Sequence, residues 1–244
     1  MSTTGLVSEL RRPRIAAFAG TCYVLFFIVS QFAPAIVGQQ HNGPIITPYS
    51  SDEVVARYLA ETSHDLIAVG AFCQGIAAIA LLIFVPYAAE YARQQVPHGL
   101  APDLIRAAGT VAAGLLLLSS SLQWVLYRPS VADDLHTYRA VLDMVFITGA
   151  APQVATTGLL VGAIATAARS ARALPAWLNW FGLLVAAFSL ASMLSLLFEP
   201  ATLFIPLGRY LGMVWFLVLA AMLLLRRTPA RTDGTHPTEP VARR

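Results

Sequence analysis

The chain has 244 residues, 57% of them hydrophobic and 12% charged, where an ordinary soluble domain carries about 25% charged residues. Its mean hydropathy of +0.66 and formal net charge of +3 exclude a disordered chain as well. The composition is that of an integral membrane protein, and the lengths of its apolar runs make it all-α.

Long apolar runs cover 15–37, 66–88, 104–127, 140–167, 177–198 and 203–225. As a helix, each run is about 33 Å or longer at ~1.5 Å per residue, enough to cross a hydrocarbon core of ~30 Å. Barrel strands would be half that length, and too few polar residues separate the runs to coat a soluble bundle. The sequence therefore predicts a polytopic transmembrane helical bundle of six spans over 15–225, with a short segment 1–14 before it and a flexible tail 226–244 after it. Orientation follows from arginine alone, because the chain has no lysine. Arg11, Arg12, Arg14, Arg93, Arg106, Arg169, Arg172, Arg226, Arg227 and Arg231 flank the spans on one side, against Arg57, Arg128 and Arg139 on the other. Cytoplasmic segments retain positive charge, so both termini are expected inside the cell. A signal peptide is the competing reading of 11–38. The first apolar run exceeds the roughly 7 to 15 residues of a signal core, and Ala33-Pro34-Ala35 is not a clean cleavage site.

The exterior loop 38–65 is the only sizeable one. It opens with the breakers His41-Asn42-Gly43-Pro44 and Thr47-Pro48 and then offers a short helix. Ser50 or Ser51 is placed to cap it, Asp52 and Glu53 suit its first turn, and Glu53 and Arg57 form an i,i+4 pair. Val54, Val55, Tyr58 and Leu59 share one face, as in a covering helix resting on the bundle. A ligand-gating lid is the functional alternative. Exterior loops 128–139 and Glu199-Pro200 are too short to hold a domain.

Two ionisable side chains lie well within the spans, Asp143 in span four and Arg209 in span six. Each falls about 6 to 10 Å below the outer boundary, where an unpaired charge costs roughly 3 kcal/mol or more, so the two are expected to pair. Other polar residues gather in the same outer half: Gln31 in span one, His64, Asp65 and Gln74 in span two, Ser119, Ser120, Ser121 and Gln123 in span three, and Arg139 and Gln153 in span four. They form either a structural polar core of interhelical hydrogen bonds or a ligand pocket open to the outside. A proton path is the weaker alternative, since Asp143 is the one acid at depth.

Gly158-x-x-x-Gly162 and Gly208-x-x-x-Gly212 mark close helix packing. Of the prolines in the spans, only Pro152 falls near mid-span, where Gly149 and Ala151-Pro152-Gln153 predict a kink that frees a backbone carbonyl. Aromatic pairs such as Trp177 and Trp180, or Trp124 and Tyr127, mark the membrane boundaries. Cys22 and Cys73 lie at different depths and read as small apolar residues. His41, His64, His98, His136 and His236 lack metal-ligand spacing. No metal or cofactor is expected.

Three stretches carry a resemblance: Pro48-Tyr49-Ser50-Ser51-Asp52-Glu53-Val54-Val55, Leu174-Pro175-Ala176-Trp177-Leu178-Asn179-Trp180-Phe181-Gly182 and Pro206-Leu207-Gly208-Arg209. Through them the chain resembles a group of small six-span membrane proteins of high-GC bacteria such as actinobacteria, a group without an established activity. The resemblance implies a bacterial plasma membrane. The expected role is that of a non-enzymatic accessory or small-ligand-binding protein, with membrane lipids, a second copy or another membrane protein as partners and no nucleic acid. A secondary transporter is the alternative, although spans one to three and four to six show no convincing internal repeat. An intramembrane lipid-modifying enzyme lacks H-E-x-x-H, G-x-S-x-G and paired acids at one depth.

Overall fold

The computed structural model describes residues 3–36, 46–61, 64–126 and 128–225, without the side chains of 3–13, 33–36, 61 and 64–66. The described helices are α1 (Thr3–Ile36), α2 (Asp52–Glu61), α3 (His64–Gln95), α4 (Ala101–Leu126), α5 (Pro129–Ala132), α6 (Leu135–Gly149), α7 (Ala151–Ser170), α8 (Ala176–Ala191) and α9 (Phe204–Leu225). Two 3-10 turns, Ser192–Leu196 and Glu199–Leu203, join α8 to α9. No strand occurs among the described residues.

Six stretches are long and apolar enough to cross a membrane: Arg14–Phe32, Ile67–Gln95, Ala101–Leu126, Leu135–Ser170, Ala176–Leu196 and Glu199–Leu225. They match the six expected runs, but several helices extend past the apolar residues. α3 continues through Glu90 and Arg93 to Gln95. α4 starts at Ala101 because Pro102 fits a first turn and Asp103 meets the positive end of the helix dipole. An Arg93–Asp103 ion pair at 2.5 Å then spans the connection between the two.

The spans close into a ring. α1 packs on α3, α3 on α4, α4 on α6 and α7, α7 on α8, α8 on α9, and α9 back on α1. α7 also touches α3 and α9, so it occupies the inside of the ring. α1 and α9 run antiparallel, since the Tyr23 ring meets Phe216 at 5.3 Å and the Phe32 ring meets Tyr210 at 6.3 Å. The bundle thus has a terminal face, where α1 begins and α9 ends, and a cap face, where α2 lies. Phe27, Leu81, Ile105, Leu116, Leu160, Leu178 and Trp215 fill the interior. Phe18, Phe72 and Leu118 face outward, as a lipid-facing surface requires.

Small residues set the closest approaches. A Cβ added at Gly158 would stand 2.2 Å from the Cβ of Ser189, and one at Gly208 would stand 2.6 Å from the same residue's Oγ. Ser189 of α8 is therefore wedged between α7 and α9. A Cβ at Gly162 would meet Ala186 at 3.0 Å, whereas at Gly212 the nearest atom, on Val185, is 3.6 Å away.

Span four is broken rather than kinked. α6 ends at Gly149, Ala150 adopts φ −107° and ψ −108°, and α7 restarts with Pro152 in its first turn. Proline has no N–H to donate, and a first turn is where that loss costs least, so the helix terminates and begins again.

The cap is held from two sides. Arg139 of α6 pairs with Asp52 and donates from Nη2 to the carbonyls of Pro48 at 3.2 Å and Ser50 at 2.6 Å. The Tyr49 hydroxyl donates to the Ser195 carbonyl at 2.8 Å. Val55 is buried against Leu126, Val131 and Tyr138, with Leu59 packed beside them. The expected Glu53–Arg57 pair does not form. The ion pairs among the described residues are Arg93–Asp103 and Arg139–Asp52. Glu53 instead hydrogen-bonds the Ser51 side chain, which holds its carboxyl below the usual range.

Candidate functional site

Beneath α2 lies a cavity of about 230 Å³, to which α1, α2, α3, α4 and α6 all contribute. Its polar lining is Ser30 and Gln31 from α1, Tyr58 from α2, Gln123 from α4 and Tyr138 from α6; Ile67, Leu142 and Val145 supply apolar wall. No carboxylate or cationic side chain lines it among the described residues. Such a lining suits a small uncharged molecule that hydrogen-bonds amides and hydroxyls.

The cavity leads into a buried polar track. Gln123 Nε2 donates to Gln74 Oε1 at 3.0 Å, and Gln74, 2% exposed, donates to the Leu116 carbonyl at 3.4 Å. Ser119 Oγ donates to the Val145 carbonyl at 3.3 Å. Ser119 lies so close to Gly149 that a Cβ there would stand 2.2 Å from its Oγ. On the far side of the break, Gln153 donates to Thr157 Oγ1 at 3.0 Å, and the Tyr23 hydroxyl faces both of them. Polar groups thus run from the cap-face cavity to the centre of the bundle.

Arg209 sits at the inner end of this track. Its Nη2 donates to the carbonyl of Gly149, the last residue of α6, and its guanidinium lies 5.3 Å from the centre of the Phe27 ring. The buried Nε has no hydrogen-bond partner. No ion pair joins Arg209 to Asp143, which corrects the expectation from depth alone. Asp143 is half-buried on α6, six residues before Gly149 and so about 9 Å away along the axis. The carbonyl at the helix break takes the place of the carboxylate.

The remaining expected residues divide. Gln31 and Gln123 line the cavity, Gln74 supports it from below, and Gln153 lies deeper beside Tyr23. Arg139 is not a pocket residue: it is turned outward to the loop and clamps the cap, another correction. The side chains of His64 and Asp65 lie outside the described residues. Gly158, Gly162, Gly208 and Gly212 all face α8, away from the cavity. Cys22 and Cys73 are free thiols, and the described residues contain no cluster of metal-ligating side chains.

Sequence reading did not include Ser30, Tyr58, Tyr138, Tyr23 or Thr157 in the site. Tyr58 was legible as part of the apolar face of α2. Tyr138 sits among apolar residues at the start of span four, where only the cap's position reveals its role. A comparison with protein-family models, curated proteins and solved structures finds no match for the chain.

Proposed function

We propose that this chain is a multi-pass protein of a bacterial plasma membrane that binds a small, uncharged, hydrogen-bonding ligand on its outer side, without enzymatic activity. The observation that carries the reading is the cavity beneath α2, where glutamine amides and tyrosine hydroxyls converge from separate helices and no described lining side chain is charged. In this reading the cap face is exterior, the arginine-rich terminal face is cytoplasmic, and α2 controls entry.

The experiment is to purify the protein from native membranes in mild detergent and identify co-purifying small molecules by mass spectrometry. One polar species at about one per chain is expected. It should be lost from the double variant Gln31→Leu, Gln123→Leu and retained by Asp143→Asn. Retention by the double variant, or the absence of any bound species from the wild type, overturns the proposal.

A secondary transporter is the second reading, favoured by one feature. Transporters bind at broken helices, and the break at Ala150 lies beside the polar track and Arg209. Uptake of the co-purified molecule into proteoliposomes separates the two readings.

A further inference from the structure

A second cavity, of about 370 Å³, opens at the opposite, terminal face of the bundle. Its inner wall is apolar, formed by Phe84, Ile164 and Leu219, while Glu90 and Gln94 stand toward its mouth near the end of α3. Phe84 and Glu90 are six residues apart on α3, about 9 Å along the axis. The cavity therefore grades from an apolar interior to a polar rim.

Three observations give the described lining negative character within this arginine-rich face. Glu90 is the one carboxylate among the described lining residues, which include no arginine. Its carboxylate accepts from Gln94 Nε2 at 3.3 Å and has no ion-pair partner among the described residues. Of the described arginines nearby, Arg93 pairs with Asp103 at 2.5 Å, and Arg169 lies 4.5 Å over the Trp180 ring. Finally, α3 ends at Gln95 and α7 at Ser170, and residues near both ends, including Ala92 and Ala168, line the cavity. Helix C-termini carry the negative end of the backbone dipole and favour cations.

We propose that this cavity binds an amphipathic organic cation, with an aromatic or short aliphatic body against Phe84 and Leu219 and a protonated amine at Glu90. The volume lies within the range of small-molecule pockets, about 300 to 1,000 Å³. The site is separate in position and chemistry from the amide- and hydroxyl-lined cavity under α2, so the two proposals stand or fall independently.

The test uses three ligands with one body and three head groups: 4-phenylbutylamine, 4-phenylbutanol and 4-phenylbutyrate. Each is titrated calorimetrically into the full-length protein in detergent, with protein-free micelles as the blank. The amine is expected to bind saturably at one per chain, about tenfold more tightly than the alcohol, and the carboxylate most weakly. Glu90→Gln should bring the amine to the affinity of the alcohol, and Ala88→Phe, which fills the interior, should weaken all three. No saturable amine binding, equal wild-type affinity for amine and alcohol, or an amine preference that survives Glu90→Gln overturns the proposal. The wild-type series and Glu90→Gln decide the matter even if Ala88→Phe fails to accumulate.

Discussion

A guanidinium inside a bilayer must find acceptors, and a sequence read by depth alone nominates the nearest acid. Depth omits rotation about the helix axis. Arg209 points at the carbonyl released by the break after Gly149, while Asp143 shares a face of α6 with Arg139, which is itself committed to the cap. A double-mutant cycle on Asp143→Asn and Arg209→Gln should therefore give a coupling within about 0.5 kcal/mol of zero, measured by chemical denaturation in detergent. A coupling well above 1 kcal/mol would restore the ion pair. Asp134 makes a different prediction. It caps α6, and the Thr137 hydroxyl, then the Thr137 backbone N–H, hold its carboxyl below the usual range. Because the folded value lies below the unfolded one, this stabilisation is full above the ordinary carboxylate range, about pH 4, and is lost as pH falls through the folded value. Melting curves should show wild type ahead of Asp134→Asn at neutral pH, with the gap closing under acid.

At the level of elements, what the sequence revealed depended on whether one dimension sufficed. Six spans were legible because hydropathy over about 20 residues is a property of the sequence itself. The interruption near Pro152 was legible too, since proline's missing N–H acts locally, although the break falls at Ala150. Glycine spacing identified smooth helix faces but not the helix each would meet. Both motifs face α8, and the shared contact is one side chain, Ser189. Gly158→Ala is thus expected to cost about 1 to 3 kcal/mol by overpacking, seen as a lower denaturation midpoint. Adding Ser189→Gly should recover part of that loss, whereas Ala186→Gly, one turn away, should not.

For the whole molecule, the ring order brings α1 against α9, so both ends of the six-span unit lie on one face. Which face meets the cytoplasm rests on the arginine distribution, and it is open to a direct test. In a background carrying Cys22→Ser and Cys73→Ala, an impermeant maleimide applied to intact cells should label Ser130→Cys on the cap face. Ser170→Cys on the terminal face should react only after permeabilisation; both serines are exposed. The reverse pattern would invert the assignment of both cavities. The cap-face cavity was partly legible, since its glutamines stand out in apolar helices and Tyr58 lies on the inward face of α2, but Tyr138 became visible only once α2 was placed above it.

The two attachments of the cap reach different parts of the ring. Arg139 grips residues 48–52 from span four, while Tyr49 reaches the turn that closes span five. Residues 48–52 thus act as a strap across two spans: if α6 swings outward from the end of α8, one knot must come undone. Outward movement of α6 would therefore have to loosen the segment that leads into α2.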